Sequence, residues 1–353
     1  MTKILMKGNE AIGAAAIKAG CKFFFGYPIT PQNEVPEYMS KELPKVGGTF
    51  IQAESEVAAI NMVYGAAGAG ARVMTSSSSP GIALKQEGIS YCAGAELPCV
   101  IVDIMRGGPG LGGIQPSQTD YFQATRGGGN GDYRLLVLAP ANVQELVDTV
   151  MLGFEKADEY RNPVMILADG MIGQMMEPVE FPEEKVITIP EKPWSTGGTK
   201  GERSPNVINS LYLDAEDLED HNTKLQAKYT MMKEKETLVE SSNLEDAEIV
   251  IAAYGTTARI CKTAIKKLEE EGFKVGLIRP ITLWPYPEKE FDKIGENCKG
   301  VLTVEMNTGQ MIEDVRLSLN GRMPTYFYGR TGGMIPTPEE IVEEVKKIMR
   351  GEK

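Results

Sequence analysis

The sequence predicts an α/β protein with a doubly wound parallel sheet, followed by a second, smaller α/β domain. Three observations support this fold class. Segments of helix and strand character alternate regularly from Gly8 to Ala168, as they do in parallel sheets with helices on both faces. Cys99–Met105 (CVIVDIM) is a continuous apolar run, which is typical of a strand buried on both sides. The alternation then resumes at Asp246 after a long polar stretch.

The first domain is predicted to span residues 1–180. Its helices are expected at residues 8–19, 33–43, 56–67, 82–93 and from 143 to about 160, and its strands at 22–27, 49–53, 72–75, 99–105, 135–138 and 164–168. Gly20 is a plausible end signal for the first helix. Ligands of such sheets bind beyond the carboxyl ends of the strands, so a site is expected in the loops at that edge.

Residues 181–245 differ in composition and are predicted to form a long charged connection, with one helix over residues 222–235. The second domain is predicted to span residues 246–353. Strands are expected at 248–253, 274–278, 300–305 and 325–328, and helices at 257–271, 288–297, 309–320 and 338–349, with the turn-rich stretch PITLWPYP between them.

The overall charge argues against two classes of partner. The chain has 353 residues and a formal net charge of −12, whereas nucleic acids and anionic membranes attract basic surfaces. The first residues contain no apolar run long enough for a signal peptide, and no later run approaches the length of a membrane span. We therefore expect a cytoplasmic protein with neither a nucleic-acid nor a membrane partner.

The cysteines and the single histidine exclude several chemistries. The five cysteines are scattered and form no CxxC pair, so the chain has no zinc or iron–sulfur ligand motif of its own, and buried thiols are expected. His221 lies in the charged stretch DAEDLEDHNTKLQ, which resembles solvated surface. If the protein is an enzyme, a group other than histidine handles its protons.

The segment Gly108–Gly113 (GPGLGG) matches a dinucleotide-binding fingerprint and raises the alternative of a nicotinamide-dependent oxidoreductase. Pro109 lies inside the motif, and Pro116 opposes a helix that would begin directly after it. No acidic residue closes a second strand about twenty positions on, as ribose recognition would require. A glycine-rich mobile loop is therefore favoured.

Three further features each allow a structural and a functional interpretation. The hydroxyl-rich segment 75–81 (TSSSSPG) could cap a helix or bind an anion. Glu56 could simply complement a helix dipole, or it could be a desolvated carboxylate that shares a proton with a ligand nitrogen. Arg106 ends the apolar strand, and it needs either an internal partner, such as Asp103 or Asp120, or a carboxylate substrate.

Four stretches together resemble the alpha-type subunit of the 2-oxoacid:ferredoxin oxidoreductases, with the branched-chain 2-oxoisovalerate enzymes as the nearest group. They are GYPITPQNEVPEY, QAESEVAAINMVYGAAGAGARVMTSSSSPG, IMRGGPGLGGIQPSQTDYFQATRGGGNGDY and NPVMILADGMIGQ. The resemblance covers nearly the whole chain. It implies a thiamine-diphosphate domain of the pyrimidine-binding type and a second domain similar to the transketolase C-terminal domain.

The resemblance also implies roles for individual residues. Family enzymes bind thiamine diphosphate between two subunits or domains, and this chain resembles the partner that binds the pyrimidine. The family's Ser-Glu pair at a helix start corresponds to Ser55 and Glu56, whose carboxylate would contact the pyrimidine ring. Thr30 would contact substrate near the thiazolium, and Arg106 would bind the 2-oxoacid carboxylate. The remaining residues expected near the cofactor are Ser79, Gln118 and Asp120.

The chain lacks the GDG motif, followed some thirty residues on by paired asparagines, that binds the diphosphate and its metal in thiamine enzymes. No metal ligand is therefore expected in this chain. The resemblance implies a beta-type subunit that carries the diphosphate, Mg²⁺ and an iron–sulfur cluster. It also implies gamma-type and ferredoxin-like subunits, with ferredoxin and coenzyme A as further partners, so the isolated chain should be inactive.

The favoured function is thus the oxidative decarboxylation of 2-oxoisovalerate to its acyl-CoA and CO₂, with electrons passed to ferredoxin. A 2-oxoglutarate enzyme of the same family is the first alternative, although it needs a further cation for the distal carboxylate, and the sequence places none. A non-catalytic scaffold is a third possibility. The joint presence of Thr30, Glu56 and Arg106 argues against it.

Overall fold

The computed structural model describes residues 3–182 and 189–353, so part of the predicted connection (residues 183–188) lies outside the described residues. The α-helices are α1 Gly8–Lys18, α2 Glu34–Glu42, α3 Glu56–Gly68, α4 Ser79–Gly94, α5 Tyr121–Arg126, α6 Val143–Tyr160, α7 Gly170–Gln174, α8 Ala215–Lys235, α9 Gly255–Glu270, α10 Met311–Leu319 and α11 Pro338–Met349. Two 3₁₀ helices span Leu43–Val46 and Glu288–Lys293.

The strands are β1 Ile4–Lys7, β2 Phe23–Gly26, β3 Thr49–Gln52, β4 Val73–Ser77, β5 Cys99–Met105, β6 Leu136–Leu138, β7 Pro163–Asp169, β8 Met176–Val179, β9 Val239–Ser242, β10 Ile249–Ala252, β11 Val275–Pro280, β12 Thr282–Trp284, β13 Val301–Glu305 and β14 Thr325–Gly329. They form a seven-stranded sheet, a five-stranded sheet and the antiparallel pair β1–β8.

The seven-stranded sheet has the order β12-β6-β7-β5-β4-β2-β3. All neighbouring strands are parallel except β12, which pairs antiparallel with β6. Every residue of the central strands β4, β5 and β7 is buried, because α1 with α6 and α3 with α4 form the two helical layers around them. The predicted doubly wound α/β fold is confirmed.

The five-stranded sheet has the order β14-β13-β10-β11-β9 and is parallel except at β9. Its own apolar core forms between the inner strands, α9 and α11, which pack against each other. The α11 helix begins with a capping box between Thr337 and Glu340, so its start is specified locally by the sequence.

Several features differ from the sequence-based expectations. The predicted connection contributes β9, which pairs with β11 in the second sheet. The stretch PITLWPYP, expected to be rich in turns, contains β12, which crosses back to the first sheet. The helix predicted over residues 222–235 begins earlier, at Ala215, where the side chain of Asp214 caps it. The helix predicted at 288–297 is the short 3₁₀ helix.

Within the described residues, no helix combines the length and the apolar character that crossing a membrane requires.

Candidate active site

The carboxyl edge of the seven-stranded sheet brings together the residues singled out in the sequence. Thr30 follows β2, Glu56 opens the helix after β3, Ser79 opens the helix after β4, and Arg106 follows β5. Because β2, β3, β4 and β5 run parallel, their ends meet at one edge.

Arg106 connects the ends of β5 and β2. Its Nη1 donates to the carbonyl oxygen of Thr30 at 2.8 Å, and its Nη2 donates to the carbonyl oxygen of Leu111 at 3.1 Å. Its Nε is buried and has no partner among the described residues. The guanidinium group is thus oriented by two main-chain carbonyls. The internal ion pair with Asp103 or Asp120 is absent from the described part of the chain.

Glu56 is the first residue of α3 and is only 6% exposed. Ser55 caps the helix, because its Oγ accepts a hydrogen bond of 3.1 Å from the main-chain nitrogen of Ala58. The Glu56 carboxylate lies against the first turn of α4: a Cβ atom built on Gly81 would be 2.7 Å from its Oε1 and 2.1 Å from Ser77 Oγ. The carboxylate therefore lies beside two helix amino termini, where negative charge is favoured.

Ser79 and Asp120 lie directly beneath Arg106. The Ser79 hydroxyl donates to the Asp120 carboxylate and accepts a 3.0 Å hydrogen bond from the main-chain nitrogen of Arg106. The main-chain nitrogen of Ser79 donates to Asp103 Oδ1 at 3.2 Å, while Asp103 Oδ2 is buried without a partner. Burial raises the pKa of both carboxyls, and the neighbouring Asp120 raises that of Asp103 further.

Gln118 is bonded to the second domain. Its Nε2 donates to the carbonyl oxygen of Tyr254 at 2.9 Å, and its Oε1 accepts from the main-chain nitrogen of Met306 at 3.0 Å and from Thr257 Oγ1 at 3.2 Å. Asn307 donates to its main-chain carbonyl at 2.7 Å. Through these bonds, the loop that contains Asp120 is attached to the second sheet. A direct contact between Gln118 and a cofactor stays a prediction.

The glycine motif GPGLGG does not form a dinucleotide site. It lies in a loop whose ends are joined by a bridge between Arg106 and Pro116, and the next helix begins only at Tyr121. The strand-loop-helix arrangement that presents a helix amino terminus to a pyrophosphate is therefore missing at this motif.

One charged residue of this region, Lys85, was not predicted from the sequence; it is completely buried in α4. The sequence did contain a signal for the burial of Lys85. Ile82 and Ile89, three positions before and four after it, are buried apolar residues on the same helix face.

Comparisons with known proteins define the class. Residues 14–244 match the family model described as "Pyruvate flavodoxin/ferredoxin oxidoreductase, thiamine diP-bdg". Residues 247–341 match "Pyruvate:ferredoxin oxidoreductase core domain II". The chain therefore belongs to the thiamine-diphosphate-binding family of 2-oxoacid:ferredoxin oxidoreductases, as the sequence motifs predicted.

Its curated relatives are subunits of such enzymes. The chain is 49% identical over 348 residues to the ketoisovalerate oxidoreductase subunit VorB of Methanothermobacter marburgensis, covering 99% of this chain and 98% of the relative. It is 39% identical over 370 residues to the 2-oxoglutarate synthase subunit KorA of Methanocaldococcus jannaschii, covering 96% and 98%. The relatives thus include enzymes named for two different substrates.

Among solved structures, the chain is similar to the 2-oxoglutarate:ferredoxin oxidoreductase of Magnetococcus marinus, solved with 2-oxoglutarate, coenzyme A and succinyl-CoA bound. The TM-score is 0.88 at 31% identity, and the match covers 98% of this chain and 65% of the other. A split-gene transketolase, with a TM-score of 0.60 at 16% identity, shares the fold.

Proposed function

We propose that this chain is the pyrimidine-side subunit of an oxidoreductase that converts 2-oxoisovalerate to its acyl-CoA and CO₂ and reduces ferredoxin. The observation that carries the proposal is the convergence of Thr30, Glu56 and Arg106 at one edge of the sheet. The ketoisovalerate enzyme subunits that resemble the chain over almost its full length support the substrate.

Glu56 fits the aminopyrimidine of thiamine diphosphate. Its carboxylate is almost fully buried, and no hydrogen bond donor reaches it among the described residues, so it has an acceptor available for a ring nitrogen. Thiamine diphosphate supplies the nucleophilic carbon and the electron sink of the reaction when it is bound. Glu56 would hold the proton at the ring nitrogen, which explains how a chain with one histidine supports proton transfer.

Arg106 and Thr30 would bind the 2-oxoacid. The guanidinium group of Arg106 supplies the positive charge that a carboxylate needs, and its two main-chain contacts fix its plane beforehand. Thr30 is exposed next to it, so its hydroxyl can reach the substrate carbonyl region.

The loop beside Arg106 favours an apolar acyl chain. Residues 107–115 (GGPGLGGIQ) contain no charged side chain, and the side chains of Leu111 and Ile114 are 80% and 56% exposed. A branched hydrocarbon would bury this apolar surface. The distal carboxylate of 2-oxoglutarate would find no cation in this loop, which makes the 2-oxoglutarate enzyme the second candidate.

We propose that another chain binds the diphosphate end of the cofactor. Within residues 3–182 and 189–353 no cluster of histidine, cysteine or acidic side chains could hold a metal ion. We propose that a beta-type subunit binds the diphosphate, Mg²⁺ and an iron–sulfur cluster, and that gamma-type and ferredoxin-like subunits complete the complex. Ser55, Ser79 and Asp120 would support the pyrimidine side of the shared site.

The test is reconstitution of the chain with its candidate partner subunits under anaerobic conditions. Coenzyme A-dependent reduction of a viologen dye is measured with a panel of 2-oxoacids. Preference for 2-oxoisovalerate is the expected result, and preference for 2-oxoglutarate would overturn the substrate assignment. A complex that holds thiamine diphosphate and its clusters but reduces no dye with any acid would contradict the function.

Glu56→Gln should abolish turnover in this assay, because the amide cannot accept and return the proton of the ring nitrogen. Thermal unfolding should stay close to that of the wild type, since Gln keeps the shape of the side chain. The exposed Glu54→Gln, two residues before, is the matched control and should retain full activity. Full activity of Glu56→Gln would contradict the role of Glu56.

A further inference from the structure

A turn of the second domain, residues 331–334 (TGGM), lies against the loop that follows β5. A Cβ atom built on Gly333 would overlap the Cβ of Gln115, and one built on Gly107 would be 3.6 Å from the main-chain nitrogen of Gly333. Gly107 directly follows Arg106, and its nitrogen donates to the carbonyl oxygen of Gln115 at 3.0 Å, which closes the loop. The second domain therefore touches both ends of the loop beside Arg106.

The conformation of this turn is set by the protein itself. Gly332 and Gly333 have φ angles of 66° and 89°, which residues with a side chain rarely adopt, and a 3.2 Å hydrogen bond from the main-chain nitrogen of Met334 closes the turn. Just before the turn, Arg330 forms an ion pair with Glu340 of α11. The turn is thus held in place before any ligand binds, which lowers the entropy cost of binding.

Three large apolar side chains on the two touching segments are exposed. Leu111 and Ile114 belong to the loop, at 80% and 56% exposure, and Met334 belongs to the turn, at 55% exposure. Met334 follows the glycine that meets Gln115, and Ile114 directly precedes Gln115. Both side chains therefore start from backbone positions next to the contact between the domains. Neither segment contains a charged side chain, so an apolar group would be stabilised by covering this surface.

Two kinds of group fit such a surface: the hydrocarbon chain of the 2-oxoacid, and an apolar patch of a partner subunit. The position favours the acyl chain, because Nη2 of Arg106 donates to the carbonyl oxygen of Leu111 within the same loop. In a 2-oxoacid only one carbonyl carbon separates the carboxylate from the acyl chain. A substrate whose carboxylate binds Arg106 therefore places its acyl chain close to this loop.

We propose that Met334 is a specificity-determining residue, which contacts the branched hydrocarbon chain of the 2-oxoacid together with Leu111 and Ile114. The inference rests on the function proposed above and extends it, because both domains then build the acyl-chain pocket. The flexible thioether side chain of methionine adapts to irregular apolar shapes. A distal carboxylate would be desolvated between uncharged segments without a partner, which is unfavourable.

The experiment replaces Met334 by Ala, Leu or Lys, and each variant chain is assembled into the complete complex. Since Met334 is exposed in this chain, these changes should leave folding nearly unaffected. The matched control is Met231→Ala, which changes an exposed methionine of α8. Coenzyme A-dependent viologen reduction gives kcat and KM with 2-oxoisovalerate, pyruvate and 2-oxoglutarate. The Kd of thiamine diphosphate and the size of the complex in gel filtration are measured as well.

Met334→Ala should lower kcat/KM for 2-oxoisovalerate at least about tenfold, since the contact of a single methylene group in such a pocket discriminates by about this factor. The kcat/KM for pyruvate should stay close to that of the wild type, because its methyl group is too short to reach the turn. Met334→Leu keeps the volume of the side chain and should retain the wild-type preference.

Met334→Lys should shift the preference toward 2-oxoglutarate, because its ammonium group supplies a partner for the distal carboxylate. The Kd of thiamine diphosphate and the size of the complex should match the wild type in all three variants. The control Met231→Ala should leave every measured quantity unchanged.

An unchanged ratio of kcat/KM between 2-oxoisovalerate and pyruvate in Met334→Ala would overturn the proposal, whether neither acid or both acids are affected. Dissociation of the variant complexes would also overturn it and assign Met334 to a subunit interface. An inactive wild-type complex, or a wild type that prefers 2-oxoglutarate, would instead refute the proposed function. The two failures are therefore distinguishable.

Discussion

Gly81 determines how closely the Glu56 carboxylate approaches α4. A methyl group at this position would overlap Ser77 Oγ at 2.1 Å and Glu56 Oε1 at 2.7 Å, distances that force one of the side chains to move. Because displacement of a reacting group by about 1 Å can reduce the rate about a hundredfold, Gly81→Ala should lower kcat at least about tenfold in the reconstituted complex.

The matched control for this change is Gly65→Ala, in the exposed part of α3, where an added methyl group meets nothing within 4 Å. It should leave kcat unchanged and stabilise the helix by about 0.5–1 kcal/mol in chemical denaturation. Equal activity of the two variants would show that the Glu56 carboxylate is free to adjust.

Arg106→Ala should raise KM for the 2-oxoacid and lower kcat/KM by about a hundredfold or more, since a buried charged hydrogen bond contributes about 2–5 kcal/mol. Arg106→Lys should recover only part of this loss, because an ammonium group cannot keep both carbonyl contacts in one plane. Affinity for thiamine diphosphate should be unaffected. The exposed Arg316→Ala serves as control, and an unchanged KM in Arg106→Ala would refute substrate binding by Arg106.

At the scale of elements, the loop after β5 determines the geometry of the candidate site as much as the strands do. Residues 117–122 leave the first domain and are bonded to the second by Gln118, Asn307 and Gln310, the last of which accepts from the main-chain nitrogen of Phe122 at 2.8 Å. The same loop carries Asp120, which is bonded to Ser79 under Arg106. The position of the second domain therefore sets the geometry beneath Arg106.

Gln118→Ala should reduce the free energy of unfolding by about 1–3 kcal/mol, because it leaves the main-chain nitrogen of Met306 without a partner, while the carbonyl of Tyr254 keeps its bond from Thr257 Oγ1. Urea denaturation measures this change. Gln123→Ala, five positions on, is the control: its Oε1 has no partner in the described structure, so the loss should stay within about 0.5 kcal/mol. Equal destabilisation by Gln118→Ala and Gln123→Ala would contradict the role of Gln118 in attaching the loop to the second domain.

Elements with strong local signals could be predicted from the sequence. The apolar run of β5 and the capped helices gave nearly correct bounds, and the motif residues Thr30, Glu56 and Arg106 do meet at one edge. The strands β9 and β12 could not be found in this way, since they are three or four residues long and gain their stability from partners far away in the sequence. Lys85 was missed although Ile82 and Ile89 mark its helix face as buried.

At the scale of the whole molecule, the two sheets should unfold together, because β12 and the loop with Gln118 each cross between them. Trp284 lies in β12, is 7% exposed and packs edge-on against Tyr229 at 5.9 Å. In a Trp194→Phe variant it is the only tryptophan. Its fluorescence and the far-ultraviolet circular dichroism should then show one coincident transition in urea. Two separate transitions would mean that the domains unfold independently.

The path of β12 also affects how this chain could be divided. The natural point for a cut lies near residue 245, between the two matched family regions, yet β12 belongs to the later half by sequence and to the first sheet by pairing. A fragment that ended there would leave β6, with its buried Leu136 and Leu138, as a bare sheet edge. Gene fission at this point would therefore create a first half prone to edge-to-edge aggregation until the second half supplied the missing strand.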